Sequence, residues 1–275
     1  MSRKLRASCV QLNSGPDLRA NLAAIAPLLV AARGQGADLI VLPENATMIA
    51  ADTEAKRAQA HFDTDHPALP FFRDQARTLG VWVHCGSLTI LRPDGRFDNR
   101  SVLFAPDGQI KAQYNKIHLF DATVAHGEKY QESATVAPGE RAVLTTTPLA
   151  KIGLTICYDM RFAQLYRDLA KAGAEIITVP AAFTVPTGQA HWHCLLRTRA
   201  IETGCYILAP AQCGTHGGGR RTYGHSLIVD PWGAITAEAT DDRPQIITAE
   251  LNLEDVTRVR AMLPSLQHDR PYAPP

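Results

Sequence analysis

Cys157 stands at the end of the apolar run Ala150–Cys157, just before a segment, Arg161–Ala172, with helical spacing. A thiol on such a strand-to-helix elbow is presented beside free backbone N–H groups, and a helix N-terminus favours its thiolate form. Glu44 directly follows the apolar run Ile40-Val-Leu-Pro, at the strand end where α/β sheets bind ligands. Lys116 closes another strand-like run in Tyr114-Asn-Lys-Ile-His, and Glu132 follows Tyr130-Gln. Taken singly, these residues are equally a core cysteine, two loop carboxylates and a surface lysine. Together they match one chemistry. A cysteine attacking an amide needs a base for its proton and positive charge where the carbonyl oxygen becomes an oxyanion. Glu44 and Lys116 supply both without histidine.

For these groups to meet, their strands must end on one edge. Alternation and breakers predict strands at Arg6–Leu12, Ala37–Pro43, Val81–Ile90, Ala150–Cys157, Glu175–Pro180, Tyr206–Ala211, His225–Val229 and Gln245–Glu250. Helices are predicted over Asp17–Arg33, Phe71–Leu79, Arg161–Ala172, Gln189–Thr203 and Leu253–Met262, with Gly204 as a helix terminator. Pro93–Gly95 and Pro106–Gly108 read as hairpin turns. The tail with Pro271, Pro274 and Pro275 reads as extended. Strands and helices alternate throughout with no linker or repeat, so residues 1–275 are expected to form one α/β domain. About ten strands are many for one open sheet and predict two stacked sheets, and the hairpins predict that these are mixed rather than purely parallel.

Composition narrows the partners. The 275 residues carry 28 Lys+Arg against 27 Asp+Glu, a net charge of +1. That balance argues against a polybasic nucleic-acid surface. The basic N-terminus leads into no apolar run of signal-peptide length, and no stretch spans a bilayer, which predicts a cytoplasmic address without membrane attachment. The six cysteines form no Cys-x-x-Cys and read as reduced thiols. Two rival chemistries are weighed. A Cys–His peptidase could draw on His118, His191, His193 or His225. A metal hydrolase could use His191 and His193, but their i, i+2 spacing does not share a helix face, and no His-Glu-x-x-His occurs. Neither a metal nor a cofactor is expected.

Leu42-Pro-Glu44-Asn, Asn115-Lys116-Ile-His and Gly153-Leu-Thr-Ile-Cys157-Tyr-Asp-Met-Arg161-Phe resemble the three signature segments of the nitrilase superfamily of carbon–nitrogen hydrolases. Their order and spacing agree, with 72 residues from Glu44 to Lys116 and 41 more to Cys157. The resemblance runs from about Lys4 to Pro271. Gly173-Ala-Glu-Ile, Ala190-His-Trp and Arg197-Thr-Arg-Ala-Ile-Glu narrow it to the Nit branch of amidases. Ala211-Gln-Cys-Gly-Thr-His216, Tyr223-Gly-His-Ser and Asp230-Pro-Trp-Gly lean towards the members of that branch that cleave deaminated glutathione. Ala163 and Gln189 depart from its animal members.

The resemblance implies a four-layer α-β-β-α sandwich, a homodimer, and a triad of Glu44, Lys116 and Cys157 that hydrolyses the amide of a small 2-oxo acid through a thioester. It implies that Lys116 and the backbone N–H of Tyr158 hold the oxyanion, and that Glu132 orients the lysine or the substrate. The alternatives within the branch are an ω-amidase acting on 2-oxoglutaramate or 2-oxosuccinamate, and an N-carbamoyl amine hydrolase. A 2-oxo acid needs a cation at its carboxylate. Arg161, four residues past the cysteine, is a candidate. Arg220 and Arg221, after Gly217–Gly219, could reach over a pocket mouth but read more readily as an exposed loop.

Overall fold

The computed structural model describes residues 3–124 and 128–273; Pro274 and Pro275 of the predicted tail lie outside them. Period-two alternation builds the layers. In the strand Lys4–Gln11, Leu5, Ala7 and Cys9 join one apolar cluster while Val10 joins another. The same split recurs in Leu39–Val41, where Leu39 and Val41 oppose Ile40, and in Phe97–Phe104, where Leu103 opposes Val102 and Phe104. Side chains of a strand point alternately to its two faces. One face of this sheet therefore packs on the helices Leu18–Gly34 and Ala68–Leu79 through Ile25, Leu29 and Phe72. Its other face packs on a second sheet that carries Ile152, Leu154 and Ile176. Helices Ala163–Lys171 and Val185–Thr203 add Tyr166, Leu169, Trp192 and Leu196 to that side. The result is the expected α/β sandwich of four layers, α-β-β-α.

The first sheet has eight strands, in the order Gln245–Asn252, Lys4–Gln11, Leu39–Val41, Trp82–His84, Phe97–Phe104, Leu88–Leu91 and His61–Phe62, with Ile110–Asn115 also paired to Phe97–Phe104. The second has six, in the order Val143–Thr146, Lys151–Leu154, Ile176–Thr178, Tyr206–Ala209, Leu227–Val229 and Ile235–Glu238. Each holds three adjacent parallel strands flanked by antiparallel pairs. The sheets are mixed, as the hairpins predicted. Both Pro-Asp-Gly turns join antiparallel strands, with Gly95 and Gly108 at positive φ.

Among the elements that differ from expectation, such as the helix expected from Gln189 that begins at Val185, three bear on the site. Val81–Ile90 is two strands, Trp82–His84 and Leu88–Leu91, interrupted at Gly86. There φ is +70°, and a Cβ would come within 1.9 Å of the Pro43 carbonyl oxygen. The chain passes too close to the Glu44 loop to continue as one strand. The helix predicted from Arg161 begins at Ala163, because Cys157–Arg161 winds as a separate 3₁₀ turn. A short helix, Thr53–Ala58, was not anticipated. None of its residues is buried, so it leaves no apolar period to read, and its start is fixed by Asp52 accepting from the Ala55 N–H.

Candidate active site

The strands deliver their chemistry to one place. Glu44, Lys116, Glu132, Cys157 and Tyr158 all line a cavity of about 410 Å³. Glu44 follows Leu39–Val41, Lys116 follows Ile110–Asn115, Glu132 follows Lys129–Gln131, and Cys157 follows Lys151–Leu154. The inner groups are nearly sealed: Glu44 is 3 %, Lys116 2 % and Cys157 7 % exposed.

Lys116 Nζ lies 2.8 Å from Glu44 Oε1 and 2.8 Å from Glu132 Oε2. Asn99 Nδ2 donates to both carboxylates, at 2.9 Å to Glu44 and 3.1 Å to Glu132. The Ala182 N–H donates to the other oxygen of Glu44 at 3.0 Å, and the Phe120 N–H to Glu132 at 2.7 Å. Buried charges demand such pairing, because an uncompensated ion in low dielectric is strongly disfavoured. Sequence reasoning missed Asn99, in Phe97-Asp-Asn-Arg. Nothing local marks it, since its role arises only when two distant glutamates converge.

Cys157 sits at φ +46°, a left-handed conformation unusual for a residue with a Cβ. The elbow that holds it there is over-determined. The Cys157 N–H donates to Pro180 O at 2.9 Å. Two residues on, the buried Asp159 accepts from the Ile156 N–H, the Tyr114 hydroxyl and the His118 N–H, and it pairs with His118 Nδ1 at 2.8 Å. His118 also stacks on Phe162 at 3.5 Å. It is thus part of the elbow's support. None of the histidines weighed for a Cys–His peptidase, His118, His191, His193 and His225, lines the cavity.

The charges set the protonation states. Burial raises the Cys157 thiol well above its ordinary pKa and the neighbouring Glu44 adds to that, more than Lys116 offsets. This overturns the expectation that the elbow would favour a thiolate: the resting group is a thiol. Burial opposes ionisation of Glu44, but the charge and hydrogen bond of Lys116 and the contact with Cys157 outweigh it and hold the carboxyl below its ordinary pKa. Burial alone would lower Lys116; Glu132 and Glu44 instead raise it well above the usual ammonium value. A protonated thiol therefore faces an ionised carboxylate and an ammonium.

Two arginines exchange places relative to expectation. Arg161 does not line the cavity. It lies against the Tyr158 and Phe183 rings, 3.2 Å from His191 Nδ1, in an adjacent cleft. Arg220 is half-buried and does line the cavity, while Arg221 is exposed. Glycines at 218 and 219, both at positive φ, turn the chain back so that the His216 N–H reaches Arg220 O at 2.8 Å. Of the remaining cysteines, Cys9, Cys85, Cys205 and Cys213 are buried, Cys194 is exposed, and none is in a disulfide. His191 and His193 have different partners, as their spacing predicts. His193 and His225 share Glu238 Oε1 at 2.9 Å each, the one close group of metal-type ligands among the described residues. It stands apart from the cavity, and hydrogen bonding accounts for its geometry.

Residues 6–261 match the sequence model of the carbon–nitrogen hydrolase family. The chain is 41 % identical to a deaminated glutathione amidase of Synechocystis over 95 % of its own length and 97 % of the relative's. It is 40 % identical to the Homo sapiens deaminated glutathione amidase, over 95 % of this chain and 81 % of that one. Among solved structures, Saccharomyces cerevisiae Nit3, a member of branch 10 of the nitrilase superfamily, superposes with a TM-score of 0.87 at 32 % identity, covering 98 % of this chain and 97 % of that one.

Proposed function

The chain belongs to the carbon–nitrogen hydrolase family, the nitrilase superfamily, and is an amidase; from that premise we propose that Glu44, Lys116 and Cys157 are its catalytic triad and that it cleaves the amide of a small 2-oxo acid, deaminated glutathione. The observation that carries the triad is the convergence, at the buried floor of the cavity, of Cys157 on an ionised Glu44 paired with Lys116 at 2.8 Å. The names of the Synechocystis and human relatives support the substrate.

The steps follow from the protonation states. Cys157 Sγ attacks the amide carbonyl carbon as its proton passes to Glu44. Lys116 Nζ and the Tyr158 N–H stabilise the negative charge that develops on oxygen. Removing one such donor typically lowers the rate about 10²–10³-fold. Glu44 delivers the proton to the departing amine, leaving a thioester on Cys157. It then takes a proton from water, whose oxygen attacks the thioester and frees the acid and the thiol. Glu132 positions Lys116 through the second ion pair and does not transfer protons.

Replacing Cys157 by Ala abolishes release of 2-oxoglutarate from deaminated glutathione while leaving the melting temperature close to the parent's. Each of the other five cysteines is individually dispensable for this activity. Turnover by Cys157→Ala at the parental rate would sink the nucleophile assignment. The family match over 6–261 supports residues 1–275 as one catalytic domain. We read the protein as a cytoplasmic homodimer. Ile201, Trp232 and Ile235 are exposed near one another, with Ile201 against Gly233, and a partner subunit would cover them.

A further inference from the structure

The catalytic cluster holds an excess of negative charge. Lys116 is shared by Glu44 and Glu132, so that cluster carries two carboxylates against one ammonium. An anionic substrate would be repelled by it unless other cations met its charge. Two are present on the same wall. Lys56, from the short helix Thr53–Ala58, lies 4.9 Å over the Phe97 ring, and Arg220 lies 5.8 Å over the Tyr130 ring. Among the described residues, neither is within ion-pair distance of a carboxylate. Asp52, the third carboxylate on the wall, is engaged in capping Thr53–Ala58, and Lys129 stands at the exposed rim.

Arg220 is the better defined of the two. Its Nη2 donates to Ala182 O at 3.0 Å. The N–H of that same Ala182 donates to Glu44. A single residue thus links the guanidinium to the carboxylate facing Cys157, which fixes Arg220 close to the reacting centre. Its Nε is buried and has no hydrogen-bond partner among the described residues. A buried donor left unmade is costly, and a charged one more so. A guanidinium fork offers parallel N–H groups that fit a carboxylate. Burial lowers the Lys56 pKa, an effect that Glu132 and Glu44 only partly offset, so an incoming anion would also relieve Lys56.

We infer that Arg220, with Lys56 beside it, is the receptor for a carboxylate of the substrate, and that Arg161 is not. This inference rests on the amidase reading and sharpens its substrate class: amides carrying a carboxylate are selected over neutral amides. Deaminated glutathione has a carboxylate in its 2-oxo acyl half and another at the end of its amine half, and either could fill the receptor.

Three substrates separate the possibilities: 2-oxoglutaramate, charged only in the acyl half; butyryl-cysteinylglycine, charged only in the amine half; and butyramide, charged in neither. In Arg220→Gln, kcat/KM for the amide whose carboxylate is received falls, relative to butyramide, about 10- to 100-fold, mostly through KM. The affected arm identifies the half that is held. Lys56→Met moves the ratio in the same direction, and Arg220→Lys, which keeps the charge without the fork, gives an intermediate ratio. Arg161→Gln leaves the ratio unchanged. A parent enzyme that cleaves the charged amides, with ratios in both arms unmoved by Arg220→Gln, overturns the receptor alone. A parent that cleaves none of the three and never acylates Cys157 overturns the amidase reading instead.

Discussion

At the scale of single residues, the account turns on which atom carries which proton. Cys157 is held as a thiol and Glu44 as a carboxylate, so the nucleophile is made only as the proton moves. This has a measurable consequence. Below its pKa, an ordinary thiol alkylates about tenfold faster with each unit rise in pH, because only the thiolate reacts. With Glu44 as an ionised base beside it, alkylation of Cys157 by iodoacetamide is expected to be nearly flat from pH 6 to 9. In Glu44→Gln the slope of about tenfold per unit should return. Parallel steep profiles in both would remove Glu44 from the base role. Glu44, Lys116 and Cys157 were legible in the sequence because each ends a strand-like run, and Glu132 only through the family resemblance. Asn99 and Arg220 were not: one is polar within a strand, and the other follows three glycines that resemble a loose loop. Only the tertiary fold brings that loop against Ile49 and Ala51 and turns Arg220 inward.

At the scale of elements, the loop that carries Glu44 depends on its neighbour. His84 Nδ1 accepts from the Gly86 N–H at 3.2 Å, and Gly86 packs directly on Pro43. That hydrogen bond requires a neutral imidazole. Burial lowers the His84 pKa from 6.5 to about 3, and burial with His61 nearby lowers His66 to about 4. Above pH 6.5 both folded and unfolded chains hold these rings neutral. As pH falls below 6.5, the unfolded chain takes protons that the fold excludes, so stability is lost progressively towards pH 4 and 3. Such shifts correspond to losses on the order of 3–5 kcal/mol per histidine when complete. Urea denaturation at pH 7.5 and 5.0 should show a clear drop, and His84→Asn, whose carbonyl can replace Nδ1 as acceptor, should shrink it. An equal drop in the variant would assign the acid sensitivity elsewhere. Strand positions were legible here because alternation and Pro43 mark them. The break at Gly86 was not, since it answers to a carbonyl 43 residues away in sequence.

At the scale of the whole molecule, two parallel-cored sheets packed face to face bring strand ends from both into one cavity. Glu44 and Lys116 come from the first, and Cys157 comes from the second. Two stacked, mixed sheets were legible from the strand count and the hairpins, and the four-layer order from the family resemblance; the way the ends converge is set by the packing of Leu5, Ala7 and Cys9 on the opposite sheet. The proposed dimer predicts a sedimentation mass near twice the 29.9 kDa of the chain, reduced to the single-chain mass by Trp232→Glu. A parent sedimenting at the single-chain mass would contradict it. The central claim, that both sheets serve one covalent step at Cys157, is tested most directly by intact-mass and peptide mapping of enzyme quenched in acid during turnover of deaminated glutathione. The account predicts a 2-oxoglutaryl adduct on the Cys157 peptide, absent from Cys157→Ala. Steady turnover with an unmodified Cys157, or with the acyl group on another residue, would contradict it.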